Sequence, residues 1–457
     1  MTKNFDVLVI GAQTGGSSAG LALAKSGLHV GLLDSKKYDK IGNKVCGDAT
    51  AAHHFERVKK EFGIPIDPPY GDEVRQEILG YDFIAPNREN KLRLDMAGGF
   101  IIDRFAFVRR LFQLAEDAGC EVMASCRVRK PIVENDTVTG VEVRRDGKIA
   151  ALKAKIVVDA SGINAVIRRG LDPKKTFMEQ KTEDKDVGYC YREIRDLKHE
   201  IDEPEIMRLF FDQNLCPRGY YWAFPAGSHK VNAGLGVEIT GSQPSAKQQF
   251  VDQVLKGDKE YSGVDFREST LVQGGGGRVP LRRPIDSLVW NGLCLVGDAG
   301  CTVKPTDGGG IGLSVVAAAM ASQPIIEAIE QDNVSMEGPL WDYSVSLMRS
   351  IGAVNAPLAL IKNLIVQASN DEINEIFKKG VLTADDIIGM NEGKGLNKFG
   401  LSDRLKRLVK GRKVLGFMNR LRLAYKDYRK AEALYENYPD NFGDFQDWRK
   451  KILRLYP

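Results

Sequence analysis

The 457-residue chain is short of the features that would place it in a class at once. It has no CxxC pair and no cluster of Cys with His, so neither a structural zinc site nor any other metal is expected. Only five histidines occur. The neighbours His53 and His54 would point about 100° apart on a helix; they cannot share one metal, and read as surface or packing residues. Seven cysteines, an odd number in so long a chain, do not make a disulfide framework and point to a reducing compartment. No run reaches the roughly 18 apolar residues of a membrane span. Met1 leads straight into a strand-like segment, so no signal peptide is expected. Neither a fixed-period repeat nor a long low-complexity linker is present. The expectation is a cytoplasmic protein.

What is present is ordinary in bulk: 43% hydrophobic and 28% charged residues, in a length that suits two or three packed units. Net charge is only +4, but it is unevenly spread. Residues 394–430 hold 13 Lys and Arg against Asp403 and Asp427. Leu405, Leu408, Val409, Leu415, Phe417, Met418 and Leu421 interleave them. Such a stretch is either a solvated helix face over a core or a peripheral contact with an anionic membrane surface. No nucleic acid partner is expected.

Along the chain, FDVLVIGA is a continuous apolar run ending in Gly, the texture of a strand buried on both faces. SSAGLALAKSG follows with helical composition and ends at Gly27. LHVGLLDSK is a second buried strand ending in Asp34. Together they make a βαβ unit of about 30 residues. AKIVVDASG (154–162) and GLCLVGDAG (292–300) repeat the strand-then-small-residue pattern and are expected in the same sheet. A β-rich unit lies between them, carried by MRLFFDQ, YYWAFPAG and KVNAGLGVEI. Beyond about residue 315 the texture turns helical. The fold class is therefore α/β, with mixed α+β character. A Rossmann-like domain in pieces (1–75, 100–170 and 275–330) is interrupted by a β-sheet substrate domain (76–99 and 171–274). A C-terminal helical region (331–457) follows.

The turn VLVIGAQTGGSSAG (7–20) nearly spells G-x-G-x-x-G. In that motif the first glycine makes the turn, the second lets backbone approach a pyrophosphate, and the third lets helix and strand pack closely. Gly11 and Gly16 fill the first and third places, Gly15 adds room, and Gln13 replaces the second. Its side chain is expected to point away or to hold the diphosphate further off. Asp34 is placed to accept from a ribose hydroxyl, which favours FAD or NAD over NADP.

CLVGDAGCTVKPTDGGGIG (294–312) resembles the second FAD signature of flavoproteins built on the p-hydroxybenzoate hydroxylase fold, and DRFAFVRRLFQLA (103–115) resembles their Arg helix. Within that group the chain resembles the geranylgeranyl reductase family, including its archaeal phospholipid-precursor branch. The stretches that carry this are NKVCGDA (43–49), YREI (191–194), PRGYYWAFPAGSHKVNAGLGV (217–237) and GGGGRVPLRRP (274–284). LYENYPDNFGDFQDWRK (434–450) extends the similarity towards the end. The resemblance implies FAD held by Gly11, Gly15, Gly16, Asp34, Val45, Cys46, Asp48, Arg104, Ala124, Asp298, Gly310 and Ile311. Two residues depart from the hydroxylases: Ser161 stands where their Asp-Gly motif has Asp, and Cys301 where many have His.

By the same resemblance the substrate is a geranylgeranyl chain, either on a digeranylgeranylglycerophospholipid or as geranylgeranyl diphosphate. Its C=C bonds would be saturated by hydride from reduced flavin plus a proton. Tyr220, Trp222 and Phe224 alternate along a strand and would face the substrate, while Cys46, Tyr220 and Trp222 are the catalytic candidates. A Cys46–Cys301 redox contact is a further expectation. The electron donor is left open among ferredoxin, a deazaflavin and NAD(P)H. An FAD monooxygenase or epoxidase, and a non-catalytic prenyl-lipid carrier, are the alternatives.

Overall fold

The computed structural model describes residues 3–238, 244–257, 264–381, 383–391 and 415–456. The apolar run Lys3–Ile10 forms a strand buried from Val7 to its end, and Val30–Leu33 is buried throughout. Strands of this kind are covered on both faces by helices. The two pair in parallel, Val7 beside Val30 and Ile10 beside Leu33. The helix between them, Thr14–Lys25, is buried at every residue but Lys25. The three segments expected to share a sheet do so: Lys148–Asp159 lies parallel to Lys3–Ile10, and Leu293–Leu295 parallel to Lys148–Asp159. Glu121–Met123 extends the other edge. The carboxyl ends of these strands deliver Gly11, Asp34, Ala160 and Gly297 to one edge, where ligands bind in open α/β sheets.

A second sheet runs in the order Thr270–Pro280, Val187–Asp196, Lys230–Glu238, Tyr220–Pro225, Ile206–Phe210, Val74–Ile84, Lys91–Ile102, Ala49–Ala51. In Tyr220–Pro225 successive side chains part to opposite faces. Tyr221 and Ala223 join the cluster around Phe250, whereas Trp222 and Phe224 pack with Ile101, Met207 and Leu209.

The C-terminal region is helical, as expected, with its longest described helices at Ala353–Ile365 and Leu415–Glu436. It is fastened to the nucleotide-binding part through Asp286, which is fully buried. Arg283 Nη1 donates to the Asp286 carboxylate at 2.6 Å, Arg449 Nε donates at 2.7 Å, and the Tyr438 hydroxyl donates to its backbone carbonyl at 3.0 Å. Two helical stretches, Ile311–Glu330 and Leu340–Ile365, are long and apolar enough to cross a membrane by length and composition. Their apolar windows are 78% and 67% buried inside the fold, so they serve as its core. Most of the basic stretch, residues 392–414, lies outside the described residues. In the remainder, Arg420 pairs with Glu372 and Lys430 with Asp427, while Phe417 and Leu421 are buried.

Candidate active site

The glycine turn is shaped by contacts no side chain could share. Gly11 adopts φ +98, and a Cβ there would meet the Ala160 carbonyl oxygen at 2.6 Å. A Cβ on Gly16 would lie 1.7 Å from the Gly11 carbonyl oxygen. Gly16 thus locks the helix against the turn from behind and lies off the cavity lining, while Gly11 and Gly15 face the cavity. Asp34 receives the Ala12 N–H at 3.0 Å and the Lys36 N–H at 2.8 Å. A carboxylate has about four lone-pair sites, so room is left for a hydroxyl.

Gln13 lies in the cavity lining, and both polar atoms of its amide are buried without a hydrogen-bond partner. Arg104 also lines the cavity, with an unpartnered buried Nε; it follows Asp103, whose carboxylate caps the helix by accepting from the Ala106 N–H at 3.0 Å. Asp298, Gly310 and Ile311 meet the cavity at the start of Ile311–Glu330, and Val45 closes in from the side. Such orphaned donors and a Cβ-free cradle fit a dinucleotide diphosphate. Ala124 lies outside the lining, because residues 126–129 occupy the wall beside Asp34. His54 packs against Gly312, where a Cβ would come within 2.1 Å of the ring. Burial pushes that imidazole down to about 3, with His53 adding to the effect, so it is neutral packing.

Cys46 and Asp48 form the next stretch of wall. The Cys46 carbonyl accepts from Arg192 Nε and from Asn232 Nδ2, each at 3.0 Å, which ties this loop to the second sheet. Asn232 Nδ2 also donates to Asp48 Oδ2 at 3.0 Å, and Trp222 Nε1 donates to Asn232 Oδ1 at 3.2 Å. Asp48 is held at φ +62, and its Oδ1 is buried without a hydrogen-bond partner. The expected Cys46–Cys301 contact is not made: Cys301 is fully buried, with Thr182 Oγ1 4.0 Å from its sulfur, and lies off the lining. Cys190 shares the lining with Cys46, and burial pushes its thiol up to about 12.

Beyond the loop the cavity becomes an apolar channel. Tyr220, Trp222 and Phe224 line it together, with ring centroids 6.0 and 6.2 Å apart. The Tyr220 hydroxyl donates to the Asp307 carbonyl at 2.5 Å. Phe211 and Phe83 continue this wall, 5.8 Å apart and stacked; the sequence reading missed both. It also missed the part of the lining that the helical region supplies through Ile361, Leu364, Ala368, Ile376, Phe417 and Leu421, against which Phe211 packs. Lys362 lies among these residues, 6% exposed, with no hydrogen bond or ion pair to its ammonium among the described residues. Burial pushes its pKa below the ordinary lysine value, against the pull of Glu238 and Asp186. The whole cavity measures about 1210 Å³, larger than the roughly 300–1,000 Å³ that serves a single small ligand. It has room for two.

A dinucleotide cradle opening into an apolar channel defines an FAD-dependent oxidoreductase. Residues 6–170 match the FAD dependent oxidoreductase family, and residues 186–279 match the geranylgeranyl reductase catalytic domain. Over 450 residues the chain is 32% identical to the digeranylgeranylglycerophospholipid reductase of Sulfolobus acidocaldarius, covering 98% of this chain and 96% of that one. It is 29% identical to digeranylgeranylglycerophospholipid reductase 2 of Methanopyrus kandleri, covering 86% and 94%. The chain belongs to the digeranylgeranylglycerophospholipid reductase family. Among solved structures, a geranylgeranyl bacteriochlorophyll reductase-like protein from Thermoplasma acidophilum matches with a TM-score of 0.75 at 23% identity, covering 89% of this chain and 100% of that one. A halogenase in complex with FAD reaches 0.64 at 14% identity, covering 99% and 96%, a likeness of fold alone.

Proposed function

We propose that this protein saturates the C=C bonds of geranylgeranyl chains on a membrane phospholipid precursor. Reduced FAD, when bound, supplies the hydride. The observation that carries this reading is the single cavity running from the Gly11 turn into the aromatic and helical channel. In this reading residues 1–75, 100–170 and 275–330 hold FAD. Gly11, Gly15, Gln13, Arg104 and Asp298 meet its diphosphate and ribityl part, Asp34 its ribose, and Val45, Cys46, Gly310 and Ile311 its ring. Residues 76–99 and 171–274 hold the prenyl chain, with the helical region supplying part of the lining.

Unactivated alkenes offer the protein no polar handle, so alignment, water exclusion and charge stabilisation are what it can contribute. Trp222 and Phe224 line the channel, and aromatic ring faces can stabilise cationic character on a protonating alkene. Tyr220, its proton committed to the Asp307 carbonyl, shapes the wall. Lys362, with Arg218 nearby, offers positive charge to the phosphate of the lipid. Because such a substrate resides in a bilayer, the protein works at the cytoplasmic membrane surface and takes electrons from a separate donor.

The test is mass spectrometry of lipids after anaerobic incubation with dithionite-reduced protein. Hydrogens gained in pairs are the expected result. A reaction that waits for oxygen would indicate a monooxygenase, and flavin that stays reduced when the lipid is added would indicate a carrier.

A further inference from the structure

Resting on that reading, we propose that the Asp48 carboxyl, anchored through Asn232 to Trp222 in the channel wall, is the acid that protonates the alkene. Saturating a C=C bond replaces one π bond by two C–H bonds. The hydride carries the electron pair to one carbon, and a proton must reach the other from a group inside a channel lined mainly by apolar side chains. Tyr220 is poorly suited: its hydroxyl proton is held by the Asp307 carbonyl, and burial pushes the phenol well above its ordinary value.

The hydrogen-bond pattern selects Asp48 and one of its oxygens. Trp222 Nε1 donates to Asn232 Oδ1, which fixes the Asn232 amide so that Nδ2 must donate. That Nδ2 donates to the Cys46 carbonyl and to Asp48 Oδ2. Asp48 Oδ2 is thereby an acceptor, which leaves Oδ1 as the oxygen on which a proton of this carboxyl belongs, with the Cys46 thiol as a weak donor to the carboxyl. Compensation for a negative charge is thin. Arg192 Nη2 stands 3.7 Å from Oδ2, and its guanidinium is directed to Gln273 Oε1 at 3.1 Å and to the Cys46 carbonyl.

Desolvation therefore dominates. It pushes the carboxyl up to about 6, over the opposing pull of Arg192 and Arg104 and the Cys46 thiol, with Asp103 pushing the same way as burial. A general acid works best with a pKa near the operating pH. The balance closes: Oδ1–H gives its proton to one alkene carbon, the hydride goes to the other, reduced flavin becomes oxidised, and water reprotonates the carboxylate afterwards.

The test uses the full chain loaded with FAD and reduced anaerobically with dithionite. Asp48→Asn keeps the shape of the side chain, and Asn tolerates a positive φ well. With flavin still bound, its reoxidation by a geranylgeranyl lipid should slow by about 100-fold or more, the scale of general acid catalysis. The wild-type rate should fall as pH rises through about 6, and this limb should vanish in the variant. A second readout needs no turnover. Infrared spectra of the oxidised wild-type holoenzyme should contain a protonated-carboxyl C=O band that titrates away over the same range and is missing in Asp48→Asn. An Asp48→Asn rate within about two-fold of wild type with an unchanged pH profile overturns the proposal. So does absence of the band, which stands as a test even if the variant fails to fold. If wild-type protein reduces no prenyl lipid, the functional reading falls instead, and the infrared titration still decides on Asp48.

Discussion

Filling the helical end of the channel should shorten the chain the protein accepts. Ala368 is 3% exposed and lines the cavity, in the cluster of helical residues against which Phe211 packs. Ala368→Phe places a benzyl ring, about the bulk of one isoprene unit, where the end of a long prenyl chain would lie. Burying a methylene gives about 0.8 kcal/mol, so excluding one isoprene unit of about five carbons costs about 4 kcal/mol of binding. At 1.4 kcal/mol per decade this is about a thousandfold. Ala368 packs among Leu364, Ile373, Ile376 and Phe417, so overpacking should also cost the fold about 1–3 kcal/mol, occasionally more. The assay is single-turnover reduction of geranylgeranyl and farnesyl substrates by dithionite-reduced protein, with flavin content and circular dichroism as controls. The geranylgeranyl specificity constant should drop by about three orders of magnitude while the farnesyl value stays within a few-fold. Equal loss for both chains, or no loss for either in a folded, flavin-loaded variant, would show that the helices do not receive the prenyl tail.

Gly16→Ala should give colourless protein on purification, because its Cβ would stand 1.7 Å from the Gly11 carbonyl oxygen and force the cradle open; the visible spectrum checks this. Asp286→Ala leaves Arg283 and Arg449 without their shared carboxylate, and urea unfolding should show a loss of about 3–5 kcal/mol. Asp48 carries a stability effect of inverted sign for a carboxyl. Its folded-state pKa of about 6 lies above the ordinary 3.8, so its contribution is complete at acid pH and is lost as pH rises through about 6. Relative to Asp48→Asn, wild-type unfolding free energy should fall by about 3 kcal/mol across that window, measured by urea titrations at several pH values.

The parts of the site visible in the sequence are those whose requirements are local. Gly11 and Gly16 stand out because one turn needs both, and their spacing alone encodes that need. Tyr220, Trp222 and Phe224 stand out because a strand sends alternate residues to one face. Gln13 could not be placed from the motif, since whether its amide turns in or out depends on the whole cavity edge. Phe83 and Phe211 reach the aromatic wall only because Val74–Ile84 and Ile206–Phe210 pair in parallel across a long stretch of intervening chain. The residues of the helical wall are apolar at helical spacing, chemically the same pattern as a packed core. Nothing local distinguishes a side chain facing a neighbour from one facing a channel. Asp48 is picked out by the resemblance only as an FAD contact, and its burial shows only once Arg192 and Asn232, far along the chain, are brought beside it.

Both non-local features belong to one cavity, whose lining holds the helical residues and Asp48 alike. A channel that takes a prenyl tail must exclude water from it, and Asp48 is itself only 4% exposed. A carboxyl left in water would ionise well below neutrality and have no proton to offer. Enclosed beside Arg192, with that guanidinium committed largely to neutral carbonyl groups, it keeps one into the range where a reductase works. On the proposed mechanism, substrate capacity and acid strength are then linked through the burial of one cavity. A variant that admits water at the helical end without touching Asp48 should weaken prenyl binding and also lower the midpoint of the Asp48 infrared titration, two effects that independent sites would not share.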